Sequence, residues 1–168
     1  QMGGAGVCKT TASLQMNNKG RIVDHICFYL SGLGNGQGFV GCTAHTAENC
    51  LVVNSNDMTI YVLFVERYQR YQVQWNGNGG RTYFFQTEMP YDVPNQAEWM
   101  GRTRRGFAAY KVGPGVTSHG AWGLGSYSIF NMNPTVVAES ASGVRMARNG
   151  RVHSQFIGSR AAGTGSAT

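Results

Sequence analysis

Glu66 and Glu88 are the two residues of this chain best placed to do chemistry. Carboxylates are scarce, eight Asp and Glu among 168 residues, and these two occupy matching positions of a repeat. The stretch from Leu51 through Asn54 and Tyr61 to Glu66 lies over the stretch from Val73 through Asn76 and Tyr83 to Glu88, at a fixed offset of 22 residues (88 − 66). In a parallel stack, residues one repeat apart sit about 4.8 Å from each other. Two carboxylates that close do not both ionise cheaply, so one is expected to keep its proton to a higher pH than an isolated carboxyl. A carboxylic acid still protonated near neutrality is what the general acid of glycoside hydrolysis needs. The bland alternative is that both side chains are solvated on an outer face and tolerate each other.

A separation of about 5 Å also matches the carboxyl pair of a retaining glycosidase. Stacked residues, however, approach a substrate from one side, whereas a retaining pair flanks the scissile bond. The division expected here is Glu88 as acid and Glu66 as the neighbour that tunes it, with the water-activating group elsewhere. Rings with a polar tip suit sugar faces, and Tyr68, Tyr71, Trp75, Tyr91 and Trp99 are the candidate substrate contacts near the pair in sequence.

The elements that would position these residues read as short β-strands. An earlier stretch, from Leu14 through Asn17 to Tyr29, fits the same frame if residues 31–50 are an insertion. Repeats of this length, rich in β-formers and punctuated by Gly and Asn, point to a parallel β-solenoid. Strands are expected at 13–17, 21–30, 51–54, 58–66, 72–75, 81–88, 107–112 and 121–130, with a small-residue lead-in over residues 1–12. The segments 31–50 and 89–106 are too long for simple corners and are expected to project as loops. The run Ile60 to Val65 is apolar at every position, as in a strand covered on both faces. Asn17, Asn54 and Asn76 are expected to form a ladder at one corner. The domain assignment is a β-helix over residues 1–157 and a small polar tail over 158–168.

Composition narrows the function classes. Only 13% of residues are charged and 24 are Gly, an all-β, turn-rich balance. No apolar run approaches the roughly 20 residues of a membrane span and no signal peptide is visible; the chain begins at Gln1, as a processed or excised chain would. The net charge of +6 rests on 11 Arg against 3 Lys, with clusters at Arg102, Arg104, Arg105 and at Arg145, Arg148, Arg151. No nucleic-acid-binding motif accompanies them, so no nucleic-acid partner is expected. His25, His45, His119 and His153 lack metal-ligand spacing, and no metal or cofactor is expected. Asp24 and His25 are adjacent on a strand and should face opposite sides. The glycines between Gly32 and Gly38 lack the Lys and the strand-to-helix context of a phosphate loop. Four cysteines lie in the first 50 residues without a CxxC, which favours Cys8–Cys27 and Cys42–Cys50 disulfides and a secreted, extracellular protein. Free thiols in a cytosolic protein are the alternative.

Several blocks carry a family resemblance. They are the run from Glu66 to Gln72, the run from Asn76 through Gln86-Thr87-Glu88 and Pro90-Tyr91 to Gln96, and the run from Ala121 to Phe130. They resemble secreted microbial pectate-lyase-like β-helix proteins, often described as factor 5/8-type domain proteins, over most of residues 3–145. More distantly, over about residues 60–130, they resemble the C-terminal β-helix of family 55 glycoside hydrolases, the β-1,3-glucanases. The resemblance implies an all-β, right-handed single-stranded parallel β-helix. It implies that Glu88 takes the place of the inverting general acid and Glu66 that of the Glu one coil earlier, with Gln86 among the substrate contacts. Two positions depart from the glucanase pattern: its His after the first Glu is Arg67 here, and its Thr after the second is Met89. Those enzymes set two β-helices in tandem, and the N-terminal one is expected to be missing from this chain.

Two functions from different classes follow. The first is a secreted carbohydrate-active β-helix resembling half of an inverting β-1,3-glucan hydrolase, with a β-glucan substrate and a second β-helix as candidate partner. The second is a non-catalytic extracellular structural or glycan-binding β-helix that associates through its open ends or grows into filaments.

Overall fold

The computed structural model describes residues 8–30, 45–130, 133, 135–139 and 151–160, the last ten by backbone alone. Strands account for all of its regular structure: β1 (Cys8–Met16), β2 (Ile22–Tyr29), β3 (His45–Val53), β4 (Thr59–Glu66), β5 (Val73–Trp75), β6 (Gly80–Glu88), β7 (Tyr110–Val112), β8 (His119–Ile129) and β9 (Arg151–Arg160). They form two parallel sheets, ordered β1-β3-β5-β7 and β2-β4-β6-β8-β9. Each pair β1/β2, β3/β4, β5/β6 and β7/β8 is one coil, and the chain is a parallel β-helix.

The 22-residue offset is the register of one coil boundary: Tyr61 pairs with Tyr83, Leu63 with Phe85 and Glu66 with Glu88. Other boundaries are longer. Along one stacked row, Asp24, Tyr61, Tyr83, Trp122 and His153 follow at intervals of 37, 22, 39 and 31 residues (61 − 24, 83 − 61, 122 − 83, 153 − 122). The described strands therefore make four coils plus β9, against an expected six or seven at about 22 residues each, because insertions lengthen most coils. The first insertion is shorter than expected, since β3 already starts at His45; residues 31–44 lie outside the described residues. β1 likewise begins at Cys8, inside the supposed lead-in, and β9 continues to Arg160, into the segment assigned to the tail. Residues 161–168 are outside the described set.

One backbone feature recurs in every coil of the second sheet. His25, Val62, Phe84 and Gly123 fall between consecutive register pairs and have φ of 47°, 50°, 65° and 67°. A single left-handed residue inside a strand shifts the in–out alternation by one position. That explains the apolar run in β4. Ile60, Leu63 and Val65 are all fully buried, while Tyr61 and Phe64 lie between them on the outside, so no second layer is needed to cover the strand. The same kink brings Asp24 Oδ1 and His25 Nδ1 to 2.6 Å, an exposed pair where the alternation had predicted opposite faces.

Inside, Leu51, Val53, Ile60, Leu63, Val65, Val73, Trp75, Phe85 and Ala121 form one continuous core. At the corner, Asn54 Nδ2 donates to Asn17 Oδ1 at 3.0 Å and Asn76 Nδ2 to Asn54 Oδ1 at 2.8 Å, which is the expected ladder.

The cysteines depart from expectation. Cys27, exposed on β2, and Cys50, buried on β3, are free thiols, so neither the Cys8–Cys27 nor the Cys42–Cys50 bridge forms. Register gives the reason, since stacked neighbours are register partners: Cys8 lies opposite His45, and Cys27 opposite Phe64. Burial also pushes the Cys50 thiol well up, to a form with little reactivity.

The core contains one polar chain. Thr82 Oγ1 and the Tyr110 hydroxyl are 2.7 Å apart, and that hydroxyl is 3.0 Å from His119 Nε2. The imidazole packs against Trp75 at 4.6 Å, and burial lowers its pKa from 6.5 to about 4. A neutral buried His stabilises the fold fully above its unfolded value and loses that contribution as pH falls through the folded one. The native state should thus lose about 3 kcal/mol between pH 7 and pH 4 through this residue alone. Urea unfolding of the wild type and His119→Gln at pH 7, 5.5 and 4 checks this; parallel pH dependences would contradict it.

Candidate functional site

Tyr29, Glu66, Glu88 and Tyr127 are successive register partners on β2, β4, β6 and β8, and the side chains of Glu66 and Glu88 lie on the outer face of the second sheet. Parallel pairing at about 4.8 Å therefore sets the two carboxylates side by side, as the repeat had predicted. Within Gln86-Thr87-Glu88 the middle residue points inward, and Thr87 Oγ1 donates to the Val65 carbonyl at 2.5 Å. Gln86 and Glu88 are left on the outside, both half-buried.

Directly after Glu66 the chain turns at Arg67 with φ of 69°, and the Arg67 backbone N–H donates to the Glu88 carbonyl at 2.9 Å. A non-glycine residue there carries a conformational cost of about 1–3 kcal/mol. The turn sends the Arg67 side chain back over the row. Its guanidinium lies 5.1 Å from the centre of the Tyr29 ring and 4.6 Å from that of Tyr91. Its Nη2 is 3.9 Å from Glu88 Oε2, with both side chains largely shielded from solvent at 12% and 15% exposure. The Tyr91 hydroxyl donates to the same Glu88 Oε2. Burial, and then the charge on Glu88, push the Glu66 carboxyl above the usual carboxylate range, and the Arg67 charge opposes them. The arrangement is a carboxyl pair with one member biased towards holding a proton and the other fixed by a phenol and a guanidinium.

The expected aromatic contacts divide sharply. Tyr91 borders the pair. Trp75 does not: it is fully buried on β5, packed between Tyr110 and His119. Tyr68 is buried as well, with its hydroxyl 2.8 Å from Ser13 Oγ and its backbone held at both ends by the Gln72 amide. Trp99 is buried and donates its indole N–H to the Gln69 carbonyl at 2.8 Å. Tyr71 sits edge-on to Phe107, with Lys111 Nζ 4.1 Å from its ring centre. Three of the five candidate rings are thus core or loop-packing residues, a correction that follows from strand parity and from the inward fold of the 89–106 segment.

Sequence reasoning missed Tyr29 and Arg67 as members of the site. Tyr29 was available through the register, since it precedes Glu66 by the same 37 residues that separate Asn17 from Asn54. Tyr61, Tyr83 and Trp122 stack on one another along the same face, at 5.1 and 4.7 Å and within 12° of parallel. Their flat faces are spent on each other, leaving edges outward. A separate cleft of about 230 Å³, lined by Glu48, Arg70, Glu98, Trp99 and Phe107 among others, includes neither Glu66 nor Glu88. Among the described residues no group of three or more His, Cys, Asp or Glu could hold a metal ion.

Comparison with known proteins identifies relatives of the chain and of its fold. The LAM55 pectate lyase-like domain matches residues 1–88. An exo-beta-1,3-glucanase from Streptomyces sp. (strain SirexAA-E / ActE) is 40% identical over 136 residues, 81% of this chain and 22% of that protein. Among solved structures, sacteLam55A from Streptomyces sp. SirexAA-E superposes with a TM-score of 0.81 and 32% identity, covering 94% of this chain and 30% of that one. A single-residue variant of sacteLam55A in complex with glucose matches equally well. The chain spans between a fifth and a third of the length of these relatives.

The Glu66 environment has a consequence for stability. Its folded value is raised, so its contribution is complete below the ordinary carboxylate range and is lost as pH climbs through the folded value. Glu66→Gln should therefore gain stability relative to the wild type as pH rises. Thermal denaturation of both proteins at pH 4 and pH 7 reads the effect, and a pH-independent difference would refute it.

Proposed function

The chain belongs to the LAM55 pectate lyase-like domain family, and we propose that it is a β-1,3-glucan-active β-helix whose Glu66–Glu88 pair supplies the proton for glycosidic cleavage. The observation that carries this reading is the in-register pairing of the two carboxylates on an outer face, with Glu66 biased towards its protonated form. Coupled carboxyls titrate as a unit, and such a pair retains one proton to a pH at which isolated carboxyls have lost theirs. In this reading Glu88, oriented by Tyr91 and Arg67, faces the glycosidic oxygen, and Glu66 keeps the shared proton within reach of it. Both groups lie on one side of the bond. The base that activates water for inversion then approaches from the opposite side, on a second β-helix that completes the cleft. A secreted, extracellular location belongs to this reading.

Laminarin hydrolysis tests the assignment. Glu88→Gln should lower reducing-sugar release by about 10²–10⁴-fold, the usual contribution of a positioned acid. Equal release from wild type and variant, or none from either, would remove Glu88 from a catalytic role in the isolated chain.

A second reading rests on a different observation. Among the described strands β1 and β2 end their sheets, Ile22 is 69% exposed, and Leu14, Met16, Val23, Ile26 and Phe28 are only partly buried against the core. Terminal strands with apolar side chains at hand are a template for pairing with another chain, which suits a non-catalytic β-helix that docks on a partner or grows end to end into filaments. Light scattering after size exclusion separates the two. A monomer that cleaves laminarin supports the enzyme, and polymers inert to glucan support the scaffold.

A further inference from the structure

The Glu66–Arg67 turn asks for a residue that Arg is not. Its φ of 69° is a conformation glycine adopts without penalty and other residues resist. The backbone hydrogen bond that holds the turn, from the Arg67 N–H to the Glu88 carbonyl, requires no side chain at all. Unlike the left-handed residues inside the strands, His25, Val62 and Phe84, Arg67 lies in the turn after β4, where its side chain comes back over the carboxyl row.

That side chain is held on three sides. Tyr29 from β2 and Tyr91 from the segment after β6 place their rings 5.1 and 4.6 Å from the guanidinium carbon, and Glu88 Oε2 lies 3.9 Å from Nη2. A guanidinium between two ring faces is fixed more firmly than a surface arginine, because each ring attracts the cation and the planar group stacks on both. Tyr91 serves twice, since the ring that packs on Arg67 carries the hydroxyl that donates to Glu88. Tyr29 and Glu66 are register partners, so the clamp closes over the carboxyl pair itself.

We propose that Arg67 is a positioning residue whose clamped positive charge orients Glu88 and limits how strongly the stacked carboxylates repel each other. The proposal deepens the hydrolase reading given above and rests on it for the role of the pair. The titratable and charged groups around Glu66 come from each neighbouring element: Tyr29 on β2, Arg67 after β4, Glu88 on β6, and Tyr91 after β6 with Asp92 buried one residue beyond. Of these, Glu88 and Arg67 act on Glu66 in opposite senses. The pair is therefore a balance, and Arg67 is the weight on one side. Lysine would return the charge without the planar stacking; methionine would fill the space without the charge.

Carbon-detected NMR titration of the glutamate carboxyls in the folded protein tests this directly. Arg67→Met should raise the Glu66 midpoint further, because it removes the positive charge that opposes the rise. Arg67→Lys should restore most of the difference. Tyr29→Leu, which opens the clamp but keeps the charge, should fall between wild type and Arg67→Met, and Glu88→Gln should move the Glu66 midpoint down. A Glu66 midpoint that ignores Arg67→Met and Tyr29→Leu while stability falls would overturn the proposal and leave Arg67 a packing residue. If Arg67→Met does not fold, Arg67→Lys and Tyr29→Leu carry the same comparison, and coincidence of both with wild type would overturn it too. Laminarin assays on the same proteins keep the two ideas apart. Intact titration shifts with laminarin hydrolysis equal in wild type and Glu88→Gln would reject the hydrolase reading alone, and Glu88-dependent hydrolysis without the shifts would reject the clamp alone.

Discussion

In-register stacking of parallel strands is the constraint on which everything else in this protein depends. It repeats each row of side chains every 4.8 Å or so along the solenoid, and the chemistry of each row decides whether repetition helps. Asparagine gains from it, since each amide both donates and accepts, and Asn17, Asn54 and Asn76 bond in sequence. Aromatic rings gain as well, and Tyr61, Tyr83 and Trp122 stack nearly parallel. Carboxylates lose. Glu66 over Glu88 is a row in which like-on-like stacking is unfavourable, and it is the row next to which a guanidinium, a phenol and a left-handed turn are gathered. Local conflict compensated by neighbouring structure is a mark of a site rather than of a scaffold.

What could be read from the sequence follows from the same rule. Like-on-like rows make register visible, so the 22-residue boundary, the asparagine ladder and the adjacency of Glu66 and Glu88 were all legible. The left-handed position was not. His25, Val62, Phe84 and Gly123 share a backbone conformation and no side-chain chemistry, so nothing in their identities marks the shift in alternation. With the phase of the strands hidden, facing could not be assigned with confidence to single rings. Trp75 and Tyr68 lie outside those strands, Trp75 on β5 of the other sheet and Tyr68 in the turn after β4 held by Gln72, and both belong to the interior. The cysteines misled for a related reason: 19 residues (27 − 8) is close to a repeat length, yet Cys8 and Cys27 lie on different sheets of one coil.

Two ionisable groups pull the fold in opposite directions along the pH axis. His119 needs to be neutral in the core and favours higher pH, whereas Glu66 is easiest to accommodate when protonated and favours lower pH. The first belongs to the Thr82–Tyr110–His119 chain, which engages the imidazole at Nε2 and leaves its buried Nδ1 without a hydrogen bond. The second sits on the outer face, where two stacked glutamines would remove the repulsion and offer the hydrogen bonding that stabilises the asparagine ladder. That the row holds Glu instead is an argument, from energetics alone, that its charge and proton are wanted for chemistry.

The distribution of aromatic faces then constrains how a sugar could be held. Tyr61, Tyr83 and Trp122 cover one another, Tyr29 and Tyr91 cover Arg67, and Trp75, Tyr68 and Trp99 are interior. Each of these rings already has a partner for at least one flat face. Near the carboxyl pair the outward groups are mostly polar, the Gln86 amide and the carboxyls themselves, while Tyr91 is buried and gives its hydroxyl to Glu88. Such a surface can fix the orientation of a glycosidic oxygen through hydrogen bonds but offers little of the broad apolar contact by which a sugar ring is usually gripped. Affinity for a polysaccharide would then have to come mainly from elsewhere, and this face would supply chemistry and orientation. A division of that kind is what one wall of a two-walled cleft requires, with proton transfer on one side and the bulk of the binding surface on the other.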